Sequence, residues 1–278
     1  MKLGINTFLF CSPLANEHLG LLSKFADWGF DCAEIAVEDP ALVDGASVAT
    51  AFQESGLSHL ITCGAYGPGR DLRGSQKEQQ AALDYTRQVM DMMPAYGSIL
   101  FCGPLYSAVG RAVGYSADEK ARHWDLVAGN LSVLCEHAQS LDITIGMEVL
   151  NRFETDFMNT AAQAVEMVET VNHPALKIHL DSFHMNIEEQ SFSGAVHTAG
   201  KHLAHFHASA NHRGTPGQDT IPWTEIHNAL VEIKYAGDIV IESFSTSVES
   251  IARACCIWRD PGDAESIAKD GLRFLRSL

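Results

Sequence analysis

Four short apolar runs in the second half of the chain end in residues able to hold a cation. They are Glu148 in TIGMEVL, Asp181 in LKIHLD, His207 in LAHFHA and Glu242 in DIVIES. A carboxylate taken out of water as an ion costs several kcal/mol unless it is paired or bound to a cation. Three such groups converging with one imidazole therefore imply a positive centre between them, and a divalent metal is the simplest. Three oxygen donors and one nitrogen form a mostly hard set, which favours Mn²⁺ or Mg²⁺ and tolerates Co²⁺, unlike the Cys/His sets of structural zinc. Plainer readings stand beside this one. Asp181, closing its run, suits a helix N-cap or a turn as well as a metal. His205, two residues before His207 and so on the same strand face, reads as a core histidine with one hydrogen bond. Glu148 and Glu242 resist such readings, because each follows a fully apolar run where no unpaired carboxylate belongs.

Convergence requires a scaffold that brings the ends of distant runs to one rim. Eight short apolar runs recur along the chain: LGINTF, CAEIAV, SHLITCG, SILFCG, TIGMEVL, LKIHLD, LAHFHA and DIVIES. Between them lie stretches with helical spacing of apolar residues, among them HLGLLSKFADWG, SQKEQQAALDYTRQVMDMMPAYG, LVAGNLSVLCEHAQSL and TAAQAVEMVETV. The alternation predicts an α/β fold with a parallel sheet, and eight units predict a closed (β/α)₈ barrel, a TIM barrel, over residues 1–278 as a single domain, with an open doubly wound sheet as the alternative. In such a barrel reactive groups sit at the C-terminal ends of strands, which is where Glu148, Asp181, His207 and Glu242 fall. The glycines of GAYGPG (Gly64, Gly67, Gly69) have the wrong spacing for a dinucleotide fingerprint and read as a turn-rich loop, or as an anion nest containing Arg70. CGPLYSAVGR, after the fourth run, shapes a pocket wall through Gly103 and Tyr106 or simply packs. The closing CCIWRDPGDAESIAKDGLRFLRSL carries an amphipathic helix, with Cys255, Cys256 and Trp258 read as core residues.

Composition narrows the partners. Lys and Arg number 19 against 35 Asp and Glu, a net charge of -16, which repels a phosphate backbone, so no nucleic-acid partner is expected. No stretch reaches the about 18 continuous apolar residues of a membrane span, so no membrane partner is expected. The N-terminal MKLGINTFLFCSPL reads as a first strand and not as a signal peptide. Seven cysteines, an odd number without a CxxC, suit a reducing cytoplasm.

The chain resembles the ketose 3-epimerases, the D-tagatose, D-allulose (D-psicose) and L-ribulose 3-epimerase group of xylose-isomerase-like barrels. The resemblance runs from MKLGINTF and WGFDCAEIAVEDP through MEVLNRFET, IHLDSFHMNIEEQSF and HRGTPGQDTIPW to ESFS and IWRD. It implies that Glu148, Asp181, His207 and Glu242 ligate a divalent metal, most simply Mn²⁺, with no organic cofactor. It implies that Glu154, His184 and Arg213 contact the reacting end of a small-molecule ketose, and that the region of Asn6 contacts its tail. Homodimers or homotetramers are the assemblies usual in the group. The chain departs from the group's pattern at Ala210, where several members carry Glu, and at Asn6, where many carry an aromatic residue.

Epimerisation at C3 needs a proton to leave one face and return to the other. The resemblance implies that Glu148 and Glu242 are the catalytic pair, one removing the C3 proton to leave a cis-enediolate and the other protonating its far face. The nearest rival is an aldose-ketose isomerase, or an inosose isomerase or dehydratase, on the same metal barrel. A metal-dependent phosphodiesterase of the apurinic-endonuclease type would want a His-rich rim and a basic groove. A non-catalytic sugar-binding module has no use for two opposed carboxylates at a metal.

Overall fold

Each apolar run becomes a strand in the computed structural model, which describes residues 1–278. The strands are β1 Leu3–Asn6, β2 Cys32–Ala36, β3 His59–Cys63, β4 Leu100–Gly103, β5 Thr144–Glu148, β6 Leu176–Asp181, β7 Leu203–Ala208 and β8 Ile239–Ile241. They pair in parallel in chain order, and β8 returns to pair with β1, so the sheet closes and the open doubly wound alternative falls. Ten helices surround it: α1 Leu21–Trp28, α2 Gly45–Ser55, α3 Gln76–Met92, α4 Ala117–Ser140, α5 Ala161–Val171, α6 Ser182–Glu188, α7 Phe192–Ala199, α8 Trp223–Glu232, α9 Glu249–Ala254 and α10 Ala264–Leu275. No helix is long and apolar enough to cross a membrane.

Local chemistry sets the helix starts. Capping boxes open α3 (Ser75 with Glu78), α4 (Ser116 with Glu119) and α5 (Thr160 with Gln163), each satisfying backbone N–H groups that the first turn leaves free. The box at Ser116 starts α4 nine residues before the periodic segment LVAGNLSVLCEHAQSL begins, because its first turns are polar and carry no apolar stripe.

Most of the apolar core lies between barrel and helices, in one cluster of 65 buried residues. Inside the barrel the chemistry differs. Strand side chains alternate, so β6 sends His179 and Asp181 inward while Ile178 and Leu180 face the helices, and β7 does the same with His205 and His207. Register places Glu148 opposite His179 and Asp181 opposite His207. Glu34, on β2, joins them, and Glu34, His179, His205 and His207 are all 0% exposed.

Two expectations need correction. Trp258, read as core, is 75% exposed, and Cys256 is exposed with only Cys255 half-buried. The three stand on the loop between α9 and α10, where Pro261 and Gly262 keep the chain from continuing as helix. Gly64 and Pro104 line the cavity, whereas Gly103 does not. Its φ is +125°, and a side chain there would overlap the carbonyl oxygen of Gly64. Gly103 thus serves a close backbone approach between the ends of β3 and β4. Gly103→Ala is expected to destabilise the fold by about 3 kcal/mol or more, read as a lower midpoint in urea unfolding.

Candidate active site

Four adjacent strands build the floor of a cavity of about 1020 Å³ at the C-terminal end of the barrel. His207 Nδ1 faces Glu242 Oε2 at 3.5 Å, Asp181 Oδ2 at 3.7 Å and Glu148 Oε1 at 4.0 Å. Nδ1 has no hydrogen-bond partner, although the residue is fully buried. One donor atom from each of the four residues lies within 4.8 Å of the others. These spacings are too long for hydrogen bonds and suit donors sharing one cation. His207 Nε2, meanwhile, lies 2.9 Å from Glu34 Oε1, the outer carboxylate partner that turns a ligating imidazole and fixes its tautomer. An orphaned, correctly turned nitrogen facing three carboxylates fits a divalent metal.

Asp181 caps a helix with one carboxylate oxygen and turns the other to the cluster. Its Oδ1 accepts from the Phe183 N–H at 2.6 Å and so caps α6, while Oδ2 turns to the cluster and accepts from Ser209 Oγ at 3.0 Å. Starting a helix at Ser182 brings His184 back over the floor one turn later, which explains an acid and a histidine three residues apart. His184 is buried, and its Nδ1 accepts from the backbone and side-chain N–H groups of Asn151 at 3.1 and 2.8 Å. Its Nε2 lies 3.3 Å from Arg213 Nη2 and 3.6 Å from Glu148 Oε1. Burial holds this imidazole below its ordinary pKa and so neutral. Asn151 also donates to Glu154 Oε1 at 2.8 Å, tying two expected substrate contacts into one unit.

Arg213 closes the site from the β7–α8 loop. Its Nη1 donates to Asp181 Oδ2 at 2.8 Å and Glu242 Oε2 at 2.9 Å, and its guanidinium lies 4.0 Å from the ring centre of Phe183 and 4.7 Å from that of Phe244. The residue adopts φ +61°, a left-handed conformation unusual for a side chain of this size. The backbone N–H donates to the carbonyl of Ala210, and the carbonyl accepts from the Phe244 N–H, so both ends of the strained residue are held.

The charges pull the carboxyl groups apart. Burial, then the like charge of Glu242, push the Glu148 carboxyl well above the usual carboxylate range. Burial would raise Asp181 too, but Arg213 and His207 outweigh it and hold that group well below its ordinary value. His207 goes the other way: burial disfavours its cation, yet Glu34 and Glu242 raise it well above the ordinary imidazole value.

Glu148, Glu154, His184, Arg213 and Glu242 all reach the cavity surface, with Asp181 and His207 fully buried in its floor. Asn6 does not. It is buried at the end of β1, where its Nδ2 donates to Glu34 Oε1 at 2.5 Å and its Oδ1 accepts from the Phe8 N–H. The aromatic surface on that side comes from Phe8, two residues later. Arg70 lines the mouth, but its guanidinium stacks 4.1 Å over the Tyr85 ring centre and donates to the Glu38 carbonyl, which favours the turn-rich loop over an anion nest. Tyr106 is fully buried and packs against Phe157. Sequence reasoning missed Glu34, Asn151 and Phe8. Asn151 carried a signal, lying three residues before Glu154 in LNRFE.

The comparisons agree with this geometry. The family model described as Xylose isomerase-like TIM barrel matches residues 22–278. The L-ribulose 3-epimerase of Methylomonas sp. is 31% identical over 252 residues, covering 89% of this chain and 87% of that protein. The D-psicose 3-epimerase of Agrobacterium fabrum is 32% identical over 252 residues, covering 89% of this chain and 86% of that one. Among solved structures, the D-allulose 3-epimerase of Methylomonas sp. in complex with D-allulose superimposes with a TM-score of 0.93 at 28% identity, over 100% of this chain and 96% of its own. The chain therefore belongs to the xylose isomerase-like TIM barrel family, in its ketose 3-epimerase group, and is an enzyme of the isomerase class.

Proposed function

We propose that the chain is a divalent-metal-dependent epimerase that inverts C3 of free ketoses of the D-tagatose, D-fructose/D-allulose and L-ribulose class. The observation that carries this is the pair Glu148 and Glu242, set on β5 and just after β8, with a carboxylate oxygen of each 4.0 and 3.5 Å from the one orphaned nitrogen of His207. When bound by Glu148, Asp181, His207 and Glu242, a divalent ion, Mn²⁺ by donor chemistry with Co²⁺ or Mg²⁺ as alternatives, supplies positive charge beside the sugar oxygens that acidifies the C3 hydrogen. The protein's own carboxyl groups then move the proton. One carboxylate takes it from one face and leaves a cis-enediolate; the other, protonated, returns a proton to the far face, and the roles exchange in reverse. In the chain alone Glu148 is the group pushed toward holding a proton. Arg213, His184 and Glu154 hold the reacting end of the sugar by hydrogen bonds. An unphosphorylated sugar fits best, since Glu38 and Glu154 line the cavity and the Arg70 guanidinium is already engaged.

Both Glu148 and His207 favour their protonated forms without metal, and a ligating group must give its proton up. Metal binding is therefore expected to release at least one proton, with apparent affinity rising about tenfold per pH unit below neutrality. Calorimetry in buffers of different ionisation enthalpy measures the release directly. A binding enthalpy independent of buffer contradicts it.

The reaction is tested by proton NMR of D-fructose, D-tagatose and L-ribulose in D₂O with metal-loaded enzyme, beside a chelator-treated control. Metal-dependent deuterium at C3 with the C3 epimer appearing supports the proposal. Exchange at C1 or an aldose product assigns an isomerase on the same barrel, and no exchange on any ketose directs the search to inososes. Assembly as a homodimer or homotetramer in a reducing cytoplasm, where seven free thiols would persist, belongs to the same reading and is tested by light scattering and fractionation.

A further inference from the structure

The cavity is larger than the sugar proposed for it. Its volume of about 1020 Å³ stands at the top of the range, ~300–1,000 Å³, in which pockets enclose drug-sized ligands, whereas a ketohexose has only six carbons and six oxygens. The polar groups that would hold its reacting end are gathered together, since Asn151 joins Glu154 to His184 and Arg213 joins His184 to Glu242. The remaining lining is mostly apolar, with Val109 from the β4–α4 loop, Phe153 from the loop after β5, Ile187 from α6, and Ile251 and Ala254 from α9. The two charged side chains on that part of the wall are already engaged. Glu38 accepts from Ser12 Oγ at 2.7 Å, and Arg70 stacks on the Tyr85 ring and donates to the Glu38 carbonyl. Phe153 is 73% exposed, yet its loop is fixed. Its N–H donates to Asn151 Oδ1 at 2.9 Å, and the adjacent Arg152 makes two side-chain bonds, at 2.9 and 3.1 Å, to Glu188, the neighbour of Ile187. A phenyl ring held in water on a fixed loop beside an apolar cavity wall is placed for a ligand.

We propose that the preferred substrate is a ketose carrying an apolar group, alkyl or aryl, at the end of its chain remote from C3, with Phe153 and Ile187 gripping that group. The inference rests on the epimerase reading made above and narrows its substrate class. Sugar hydroxyls pressed against this wall would lose water without gaining partners, whereas an apolar substituent gives up nothing polar there. Because the grip lies away from the reacting carbons, it acts alike on bound substrate and on transition state, so it lowers KM and leaves kcat nearly unchanged.

The test compares D-fructose with its 6-O-methyl and 6-O-benzyl ethers on the metal-loaded enzyme, with proton NMR reading the C3 epimer as it forms. Neither ether can close to a pyranose, so the comparison between them isolates the phenyl ring. The benzyl ether is expected to exceed the methyl ether in kcat/KM by about ten- to a hundredfold, the gain lying in KM. In Phe153→Ala, and separately in Ile187→Ala, that ratio is expected to fall at least about threefold, whatever the variant does to the methyl ether's own rate. A benzyl ether turned over no better than the methyl ether overturns the proposal, while epimerisation of D-fructose in the same experiment leaves the epimerase reading standing. An advantage that survives both variants overturns it as well, because the phenyl ring then lies elsewhere. No exchange at C3 of any of the three sugars overturns both readings. The comparison of the two ethers on the unaltered protein holds whether or not a variant folds.

Discussion

Replacing Glu148 or Glu242 by Gln lowers kcat for C3 inversion by about 10⁴-fold or more and leaves the barrel folded. Gln keeps the shape of each side chain and removes its charge and basicity. Both residues are 5% exposed at the cavity floor and outside the apolar clusters that hold barrel and helices together, so circular dichroism should show no loss of structure. The two variants should also differ in a way no general loss of activity would produce. With one carboxylate gone, the other can still exchange the C3 proton of the epimer it faces without completing an inversion. Each variant is therefore expected to wash deuterium into C3 of one epimer and not its partner, with opposite preferences, and the double variant to exchange neither. NMR of each pure epimer in D₂O reads this directly. A single Gln variant that epimerises at the unaltered rate would remove the two-carboxylate assignment.

The barrel was legible because its signal is repetitive: eight apolar runs alternating with helical stretches leave few topologies, and the chain closes as that count predicts. The rim was legible for a related reason. Glu148, Asp181, His207 and Glu242 each close an apolar run, so burial and charge conflict visibly in one dimension. What lies beneath the rim was not. Glu34 sits within CAEIA, and an acid inside a strand reads as facing solvent unless the sheet is known to close around it. The same closure took Asn6 from the cavity to the interior, where it donates to Glu34. Arg213 reaches two carboxylates only because the loop after β7 holds it at a positive φ, a property of backbone and not of residue type. Trp258 was misread because apolar character predicts burial only within a periodic element, and residues 255–263 form none.

Glu34 carries the second large expected effect. Its carboxylate accepts from Asn6 Nδ2 at 2.5 Å and meets His205 Nε2 at 2.6 Å and His207 Nε2 at 2.9 Å, all fully enclosed. Burial opposes ionisation there, yet the two histidines outweigh it and hold the group well below the usual carboxylate range. Glu34→Ala leaves all three partners without an acceptor in a space closed to bulk water, and is expected to destabilise the fold by about 3–5 kcal/mol. Glu34→Gln keeps one oxygen and the volume, so it should cost less stability while still freeing the His207 ring to turn or to change tautomer. Metal affinity of Glu34→Gln is therefore expected to fall about 10–100-fold, although Glu34 faces no metal itself. Urea unfolding with chelator present isolates the structural share, and calorimetric titration of the stripped protein reads the metal share. Unchanged metal affinity in a folded Glu34→Gln protein would mean that packing alone aims His207, with the contact between His179 and His207 the remaining constraint on that ring.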